Sequence, residues 1–259
     1  MIPRVLRSGS ALRVSATLYL QDYGWLSQNR LVYNSKSMVR EMTASDQLFP
    51  PEESIFLKYA SFLAESRLLD IGVGGGRTTR HLLSRCRSYQ AIDYAPAMIK
   101  ACKAKFASRP EVFKVADARD LSRERVAGYD FVMFSWNGLD YVNHHDRLRV
   151  LREIHRVLRP GGLFFFSTHS LHAFPFPEAE VQARNKHVDL DLLERRGWAQ
   201  LIGYNAALLT YYIYPAVQKK QIENSGYEIV EVLDMKGVDF SFDKPTTDYM
   251  IHFLCRRNQ

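Results

Sequence analysis

The residues whose types and spacing point most directly to chemistry form a glycine-rich turn, Leu69-Asp70-Ile71-Gly72-Val73-Gly74-Gly75-Gly76. This turn follows a short apolar run that is typical of a buried strand, and it precedes a helical pattern. Glycines at such a place let the backbone turn tightly and let a ligand approach the main chain closely. The turn therefore predicts a cofactor of the nucleotide type at the carboxyl end of this strand.

Acidic residues at the ends of three successive predicted strands narrow the choice of cofactor. Asp70 precedes the glycines, where a carboxylate suits the sulfonium and ammonium charges of S-adenosylmethionine (SAM). Asp93 ends the second strand, where it can accept hydrogen bonds from both ribose hydroxyls, as in NAD-binding folds. Asp117 ends the third strand, where it either caps the following helix or accepts from the adenine amino group, while the next amide donates to the ring. Together the three acids favour SAM.

In this order the motifs resemble those of the class I SAM-dependent methyltransferases. Residues 70–76 are similar to the first motif of that family, and Asp93 and Asp117 are similar to its ribose-binding and adenine-binding acids. Residues 129–135 and 151–162 are similar to the segments at and after its fourth strand. The resemblance covers residues 65–170 and, more loosely, 216–255. It implies a Rossmann-like fold, SAM as the cofactor and methyl transfer as the activity, and it says little about the acceptor.

The cofactor site expected from these motifs includes residues from the N-terminal segment. We expect Tyr33 and Arg40 to fold over the cofactor, with Arg40 near the methionine carboxylate, although an ordinary surface position is the alternative for Arg40. The expected cofactor-binding residues are Asp70, Gly72, Gly74, Asp93, Tyr94, Met98, Asp117, Ala118, Ser135, Tyr33 and Arg40.

Candidate groups around the reacting methyl lie at the carboxyl ends of strands four and five, where such sheets bind ligands. His169 is the candidate general base, because a neutral histidine accepts a proton from a hydroxyl or amine, and a tie between the strand end and the next segment is the alternative. Tyr141 and Asp140 are the next catalytic candidates. The residues expected to bind substrate are Trp136, Asn137, Tyr204 and Tyr211. The spacing of histidines and cysteines gives no metal signature, so no metal is expected.

The elements that must position these residues alternate between helix and strand from Pro50 onward, which predicts an α/β fold. The strands are continuous apolar runs, as in parallel sheets covered on both faces. We expect a Rossmann-like, mostly parallel seven-stranded sheet with helices on both faces and an inserted helical lid after strand five. The expected parts are an N-terminal arm or cap (1–50), a SAM-binding core (51–170), the lid (171–215) and the C-terminal part of the core sheet (216–259).

Composition sets further bounds. The chain has 259 residues, of which 46% are hydrophobic, and a formal net charge of +7. No stretch approaches the roughly 20 apolar residues of a membrane-spanning helix. The three cysteines suggest a reduced setting, so we expect a cytoplasmic protein. The basic first twenty residues resemble an organellar targeting segment but also suit a structural arm, which we favour because their leucines do not share one helical face.

The expected function is methyl transfer from SAM to the oxygen or nitrogen of a small molecule. The aromatic-rich segment 171–215 supports a small acceptor, because such an insertion can close a dry pocket over an organic substrate. Two alternatives stay open. RNA methylation is suggested by the positive charge, but it needs a basic stripe or an added RNA-binding module. A SAM-binding or partner-binding module without catalysis is the other.

Overall fold

Helices and strands alternate through the part of the chain that the computed structural model describes, which is residues 22–173, 185, 190–202, 208–243 and 246–259. Four helices come first: α1 (Asp22–Tyr33), α2 (Lys36–Thr43), α3 (Pro50–Lys58) and α4 (Ala60–Ala64). The central elements are β1 (Arg67–Ile71), α5 (Thr79–Leu82), β2 (Ser88–Asp93), α6 (Pro96–Lys105), β3 (Phe113–Val115), β4 (Tyr129–Phe134), α7 (His144–Val157) and β5 (Leu158–Ser170). The last are α8 (Leu190–Arg196), β6 (Trp198–Ile202), β7 (Leu209–Ile213), α9 (Pro215–Asn224), β8 (Tyr227–Leu233) and β9 (Met250–Arg257).

The strands form one sheet in the order β3-β2-β1-β4-β5-β7-β6, with β9 beside β5 and β8 beside β9. Strands β1 to β5 pair in parallel. Strand β9 runs antiparallel to β5 and β8. The carboxyl ends of the parallel strands β1 to β5 therefore meet at one edge of the sheet, where the switch in strand order between β1 and β4 opens a crevice. The predicted mostly parallel, Rossmann-like α/β fold is confirmed.

The central strands β1, β4 and β5 are buried on both faces because they are apolar at nearly every position. Along β4, Phe131 and Met133 face one hydrophobic cluster, whereas Val132 and Phe134 face the other. Helix α7 covers one face, and α3 and α6 cover the other. This two-sided burial is the physical reason for the continuous apolar runs in the sequence.

The expected strand count and the expected lid need correction. Within the described residues the sheet has nine strands, not seven, because β6 and β7 lie in the segment that was expected to be a helical lid. Strand β7 is Leu209-Thr210-Tyr211-Tyr212-Ile213, buried at every position, and its aromatic residues are as typical of strands as of a helical cap. It extends the sheet by pairing with the last residues of β5. The boundaries of the lid stay a prediction, since residues 174–184 and 203–207 lie outside the described residues.

Helix α1 lies against β7 and the turn that follows β4. The buried Asn29 side chain on α1 hydrogen-bonds both to the backbone carbonyl and to the amide of Leu209, at 2.9 Å each. It also donates to the Tyr141 carbonyl, so α1 joins β7 to the turn that follows β4. The residues considered as a targeting segment or an arm, 1–20, lie outside the described residues. None of the helices in the described ranges has the length and apolar character that crossing a bilayer requires.

Candidate cofactor and acceptor site

An open pocket lies at the carboxyl ends of β1, β2, β3 and β4. The predicted site residues that line it are Gly72, Gly74, Asp93, Tyr94, Asp117, Ala118, Ser135, Tyr33, Trp136 and Tyr141. The structure thus brings together most of the residues expected to bind SAM, from four strand ends and the N-terminal segment.

The glycine turn forms the floor of the pocket. Gly72 and Gly74 have φ of +64° and +54°, in the left-handed region that side chains rarely adopt. A Cβ atom on Gly75 would lie 2.1 Å from the Met42 carbonyl oxygen, so this glycine allows α2 to pack directly on the turn. The sequence pattern predicts the backbone freedom of the turn, and only the structure shows its neighbour.

Asp93 lies at the carboxyl end of β2 and lines the pocket. Its Oδ1 accepts from the Ala95 amide at 2.8 Å, and its Oδ2 accepts from the Gly74 amide at 2.9 Å. Burial raises the pKa of this carboxyl to about 6, and these two amide bonds lower it by a smaller amount. Each oxygen keeps a lone pair for a further donor, which two neighbouring hydroxyls can supply.

Asp70 does not line the pocket, contrary to expectation. It is buried beneath the turn, and its Oδ2 accepts from the hydroxyls of Thr78 and Tyr89 at 2.8 Å each. Burial raises its pKa to about 7, while these two hydroxyl bonds lower it. Successive side chains of a strand point to opposite faces of the sheet. An acid at the end of a strand can therefore lie beneath the following turn as well as face a ligand. Asp70 therefore fastens the glycine turn to α5 and β2.

Asp117 lies just after β3 and is followed by a turn, not by the helix that it was considered to cap. Its side chain lines the pocket, and its Oδ1 also accepts from the Arg119 amide at 2.9 Å, which stabilises the turn after β3. The Arg119 guanidinium pairs with it at 2.9 Å and reaches Asp146 as well. The carboxylate is one-third exposed, so it stays open to a ligand on the pocket side.

Three tyrosines form the wall above the turn. The Tyr33 ring from α1 packs edge-on against Tyr141 and Tyr94, with ring centroids 5.5 and 6.2 Å apart. The buried Tyr94 hydroxyl has no hydrogen-bond partner in the described part of the chain. A polar atom buried without a partner is costly, so this hydroxyl is a ready donor or acceptor for a ligand.

Two other predicted cofactor residues lie away from the pocket. Met98 is fully buried in an apolar cluster with Met38 and Ala95, because helix α6 turns this position towards α2 rather than towards the ligand edge. Arg40 lies in the last turn of α2 and is exposed, so it takes the ordinary surface position that was the alternative for this residue. Both were expected from chain position alone, which does not specify which way a helical face points.

His169 and Asp140 form a hydrogen-bonded pair at the carboxyl ends of β5 and β4. The His169 Nδ1 lies 2.8 Å from the Asp140 Oδ2, and the His169 amide donates to the same oxygen at 2.6 Å. Asp140 is fully buried, whereas the His169 side chain is 15% exposed. The His169 ring packs edge-on against Tyr141, which lines the pocket. Asp140 therefore orients His169, and neither of the two side chains is among the residues that line the pocket.

A buried arginine that the sequence analysis missed compensates Asp140. Arg147, on α7, is fully buried and pairs with Asp140 while donating to the Thr168 hydroxyl at 3.1 Å. It also donates to the Gln218 side chain on α9, and its guanidinium lies over the Tyr211 ring. An isolated buried carboxylate is strongly unfavourable, so this arginine is what permits a charged Asp140 here.

The residues expected to bind substrate do not lie together in the structure. Trp136 lines the pocket with its side chain 39% exposed and its φ at +48°. Asn137 is buried and does not line the pocket. Its backbone N–H donates to the Ser167 hydroxyl at 2.8 Å. Tyr211 is buried in a stack with Trp198 and His144, because β7 turns it towards α7. Tyr204 lies outside the described residues.

Arg77 and Glu52 are a second pair that sequence reasoning missed. Glu52 lies in the first turn of α3, and its Oε2 accepts from the Phe49 amide at 2.8 Å. It also binds both terminal nitrogens of Arg77 at 2.6 Å each. The signal available was an arginine directly after the glycines. Within the described ranges, no group of three or more histidine, cysteine or acidic side chains is placed to hold a metal ion.

Comparison with known proteins identifies the domain. Residues 68–162 match the family model described as a methyltransferase domain. A ubiquinone biosynthesis O-methyltransferase of Xanthomonas oryzae pv. oryzae is 31% identical over 109 residues, which are 41% of this chain and 44% of that protein. Its counterpart in Xanthomonas axonopodis pv. citri is 26% identical over 185 residues, 69% of this chain and 71% of that protein. The chain thus spans less than half the length of the first of these relatives.

Solved structures show the same fold at low identity. A SAM-dependent methyltransferase of Methanosarcina mazei superposes with a TM-score of 0.60 at 19% identity, covering 82% of this chain and 99% of its own. The 1,6-didemethyltoxoflavin-N1-methyltransferase of Burkholderia thailandensis, with bound S-adenosylhomocysteine (SAH), has a TM-score of 0.53 at 16% identity, covering 98% of this chain and 94% of its own. The family model and these structures together support the prediction of SAM as the cofactor. Residues 68–162 therefore match a methyltransferase domain, in a chain that has the fold of SAM-dependent methyltransferases.

Proposed function

We propose that the chain transfers a methyl group from SAM to a hydroxyl group of a small organic molecule. The observation that carries this proposal is the Asp140–His169 pair, a histidine oriented by a buried carboxylate beside the tyrosine wall of the cofactor pocket. The names of the Xanthomonas relatives, ubiquinone biosynthesis O-methyltransferases, support an oxygen acceptor.

The pocket has the donors and acceptors that SAM needs. In this proposal Asp117, at one end of the pocket, accepts from the adenine, Asp93 next to it accepts from the ribose, and the glycine turn contacts the methionine part; the order of the strands supports this arrangement. SAM supplies an electrophilic methyl group when it is bound. Since the pocket walls are mostly aromatic and apolar, and Arg77 is paired with Glu52, the acceptor that fits best is a small uncharged molecule.

His169 acts as the general base in this proposal. Because its Nδ1 donates to the Asp140 carboxylate, its Nε2 carries the lone pair that takes the hydroxyl proton as the oxygen is methylated. Arg147 balances the buried charge of Asp140, so the carboxylate holds the imidazole in one tautomer and one orientation. Alignment of acceptor and methyl supplies much of the rate, and proton removal adds to it.

The first test identifies the product. Purified protein, SAM and a panel of neutral phenols, alcohols and amines, together with a metabolite extract and total RNA, are incubated and analysed by mass spectrometry for methylated products. O-methylated small molecules support the proposal. Methylated RNA whose formation falls steeply with salt indicates the RNA alternative, because phosphate contacts are salt-sensitive. Binding of SAH without any methylated product indicates a module without catalysis.

The second test concerns the base. His169→Asn should lower turnover by about 100-fold or more while leaving SAH affinity unchanged, because the imidazole removes a proton but does not bind the cofactor. His172→Asn, an exposed histidine near the end of the same strand, is the matched control and should keep normal turnover. Near-normal turnover of a folded His169→Asn protein would assign His169 to tying the strand end to Asp140 and leave Tyr141 as the catalytic candidate.

A further inference from the structure

We propose that Arg77 binds the carboxylate of the methionine part of SAM, and that Glu52 holds the Arg77 guanidinium in position for it. The inference rests on the proposed use of SAM. It assigns to Arg77 the contact that the sequence predicted for Arg40, which lies exposed on α2.

Arg77 is placed at the methionine end of the pocket. It directly follows the glycine turn, lines the pocket and is the single permanently cationic side chain among the described lining residues. Its guanidinium carbon lies 4.7 Å from the Phe49 ring centroid and 5.3 Å from that of Trp136. Because Asp93 and Asp117 lie on the β2 and β3 side of the turn, the opposite end of a bound SAM extends towards β4, where Trp136 and Arg77 meet.

The hydrogen bonds of Arg77 leave one complete edge of the guanidinium unused. Its Nη1 donates to the Gln47 carbonyl at 3.0 Å and to the Glu52 Oε2, and its Nη2 donates to the Glu52 Oε1. A guanidinium carries five N–H groups, so the Nε–H and the second Nη2–H have no acceptor from the described chain. These two hydrogens point in the same direction and form a fork that matches the two oxygens of a carboxylate.

Glu52 makes this edge rigid and sets its direction. Glu52 is fully buried and binds the end of the guanidinium with both oxygens, and the rings of Phe49 and Trp136, which pack edge-on against each other, also contact the guanidinium. The Arg77 side chain is only 6% exposed, so its two free donors are poorly hydrated and gain from a new acceptor. The pair is neutral overall, which suits a ligand whose carboxylate arrives together with its own ammonium and sulfonium charges.

Calorimetry with SAM and decarboxylated SAM, which differ in this carboxylate, tests the inference. Wild-type protein should bind SAM at least about tenfold more tightly than decarboxylated SAM, the effect expected of one charge-assisted bidentate contact. Arg77→Gln should remove most of this preference by weakening SAM, with the affinity for decarboxylated SAM changed by less than about twofold. Equal losses for both ligands, or an unchanged preference in the variant, would overturn the inference.

A second variant protects the test against misfolding. Arg77→Gln leaves the buried Glu52 without its partner, so thermal melting accompanies each titration. Glu52→Gln keeps the charge of Arg77 but replaces one of the two oxygens that hold the guanidinium with an NH₂ group, so the preference for SAM over decarboxylated SAM should be reduced without being lost. An unchanged preference in folded Glu52→Gln would overturn the positioning role of Glu52, and a preference that folded Arg77→Gln keeps would overturn the contact of Arg77 with the carboxylate. Wild-type protein that binds neither ligand refutes the proposed cofactor, whereas equal binding of both refutes the role of Arg77 alone.

Discussion

Binding of SAH is expected to depend on pH through Asp93. The carboxylate is buried at the end of β2, where its oxygens already accept from the amides of Ala95 and Gly74. Burial raises its pKa to about 6. The ionised form offers two acceptor oxygens to the ribose hydroxyls, whereas the protonated form turns one of them into a donor. SAH therefore binds the ionised form, and its affinity falls as the pH drops through about 6.

The size of the effect follows from the fraction of ionised carboxyl. At about one pH unit below the pKa, roughly one molecule in ten has an ionised Asp93, so the apparent dissociation constant for SAH rises about tenfold relative to neutral pH. Above the pKa the affinity levels off, because nearly all Asp93 is then ionised.

Calorimetric titration with SAH between about pH 5 and pH 8 measures this dependence. Asp93→Asn should bind about 10- to 100-fold more weakly at the high end and lose the pH dependence, since an amide keeps one acceptor and sets an NH₂ group against a backbone N–H. Asp243→Asn, at an exposed acid, is the control and should follow the wild-type curve. A wild-type affinity that stays constant over this range, or an Asp93→Asn curve with the wild-type slope, would refute the reasoning.

Three further predictions concern stability and packing. The folded-state pKa of Asp70 is raised to about 7, so the wild type should lose stability as the pH rises from about 4 to 7, and Asp70→Asn should be up to about 4 kcal/mol more stable than the wild type above that range. Urea unfolding at several pH values measures the difference in the free energy of unfolding between Asp70→Asn and the wild type. A difference that does not grow with pH would contradict this prediction. Gly75→Ala should weaken SAH binding, because its Cβ would meet the Met42 carbonyl at 2.1 Å and displace α2; unchanged affinity by calorimetry would contradict this contact. Asn29→Ala should lower the free energy of unfolding by about 2–4 kcal/mol, because it leaves the buried amide and carbonyl of Leu209 without partners, and a loss below about 0.5 kcal/mol would show that α1 does not hold β7.

The sequence by itself determined the fold and the chemical nature of the cofactor site. Continuous apolar strands separated by helical patterns specify a parallel sheet, because only strands covered on both faces are apolar at every position. The glycine turn with Asp93 and Asp117 at successive strand ends specifies a nucleoside-binding edge, since the carboxyl ends of parallel strands meet there. These features are local in the chain, and local patterns are what a sequence shows directly.

The partners of each charged side chain were decided only by the tertiary structure. Asp70 points beneath the turn rather than into the pocket, Asp140 is compensated by Arg147, and Arg77 rather than Arg40 reaches the cofactor edge. The segment that forms β7 was likewise expected to belong to a helical lid. Its aromatic residues are compatible with a helix or a strand, and only the pairing with β5 decides for the strand. Such outcomes depend on residues distant in the chain and on which way a side chain points. Burial makes the choice of partner important for stability, because a charged side chain removed from water is strongly unfavourable unless the fold places a partner beside it.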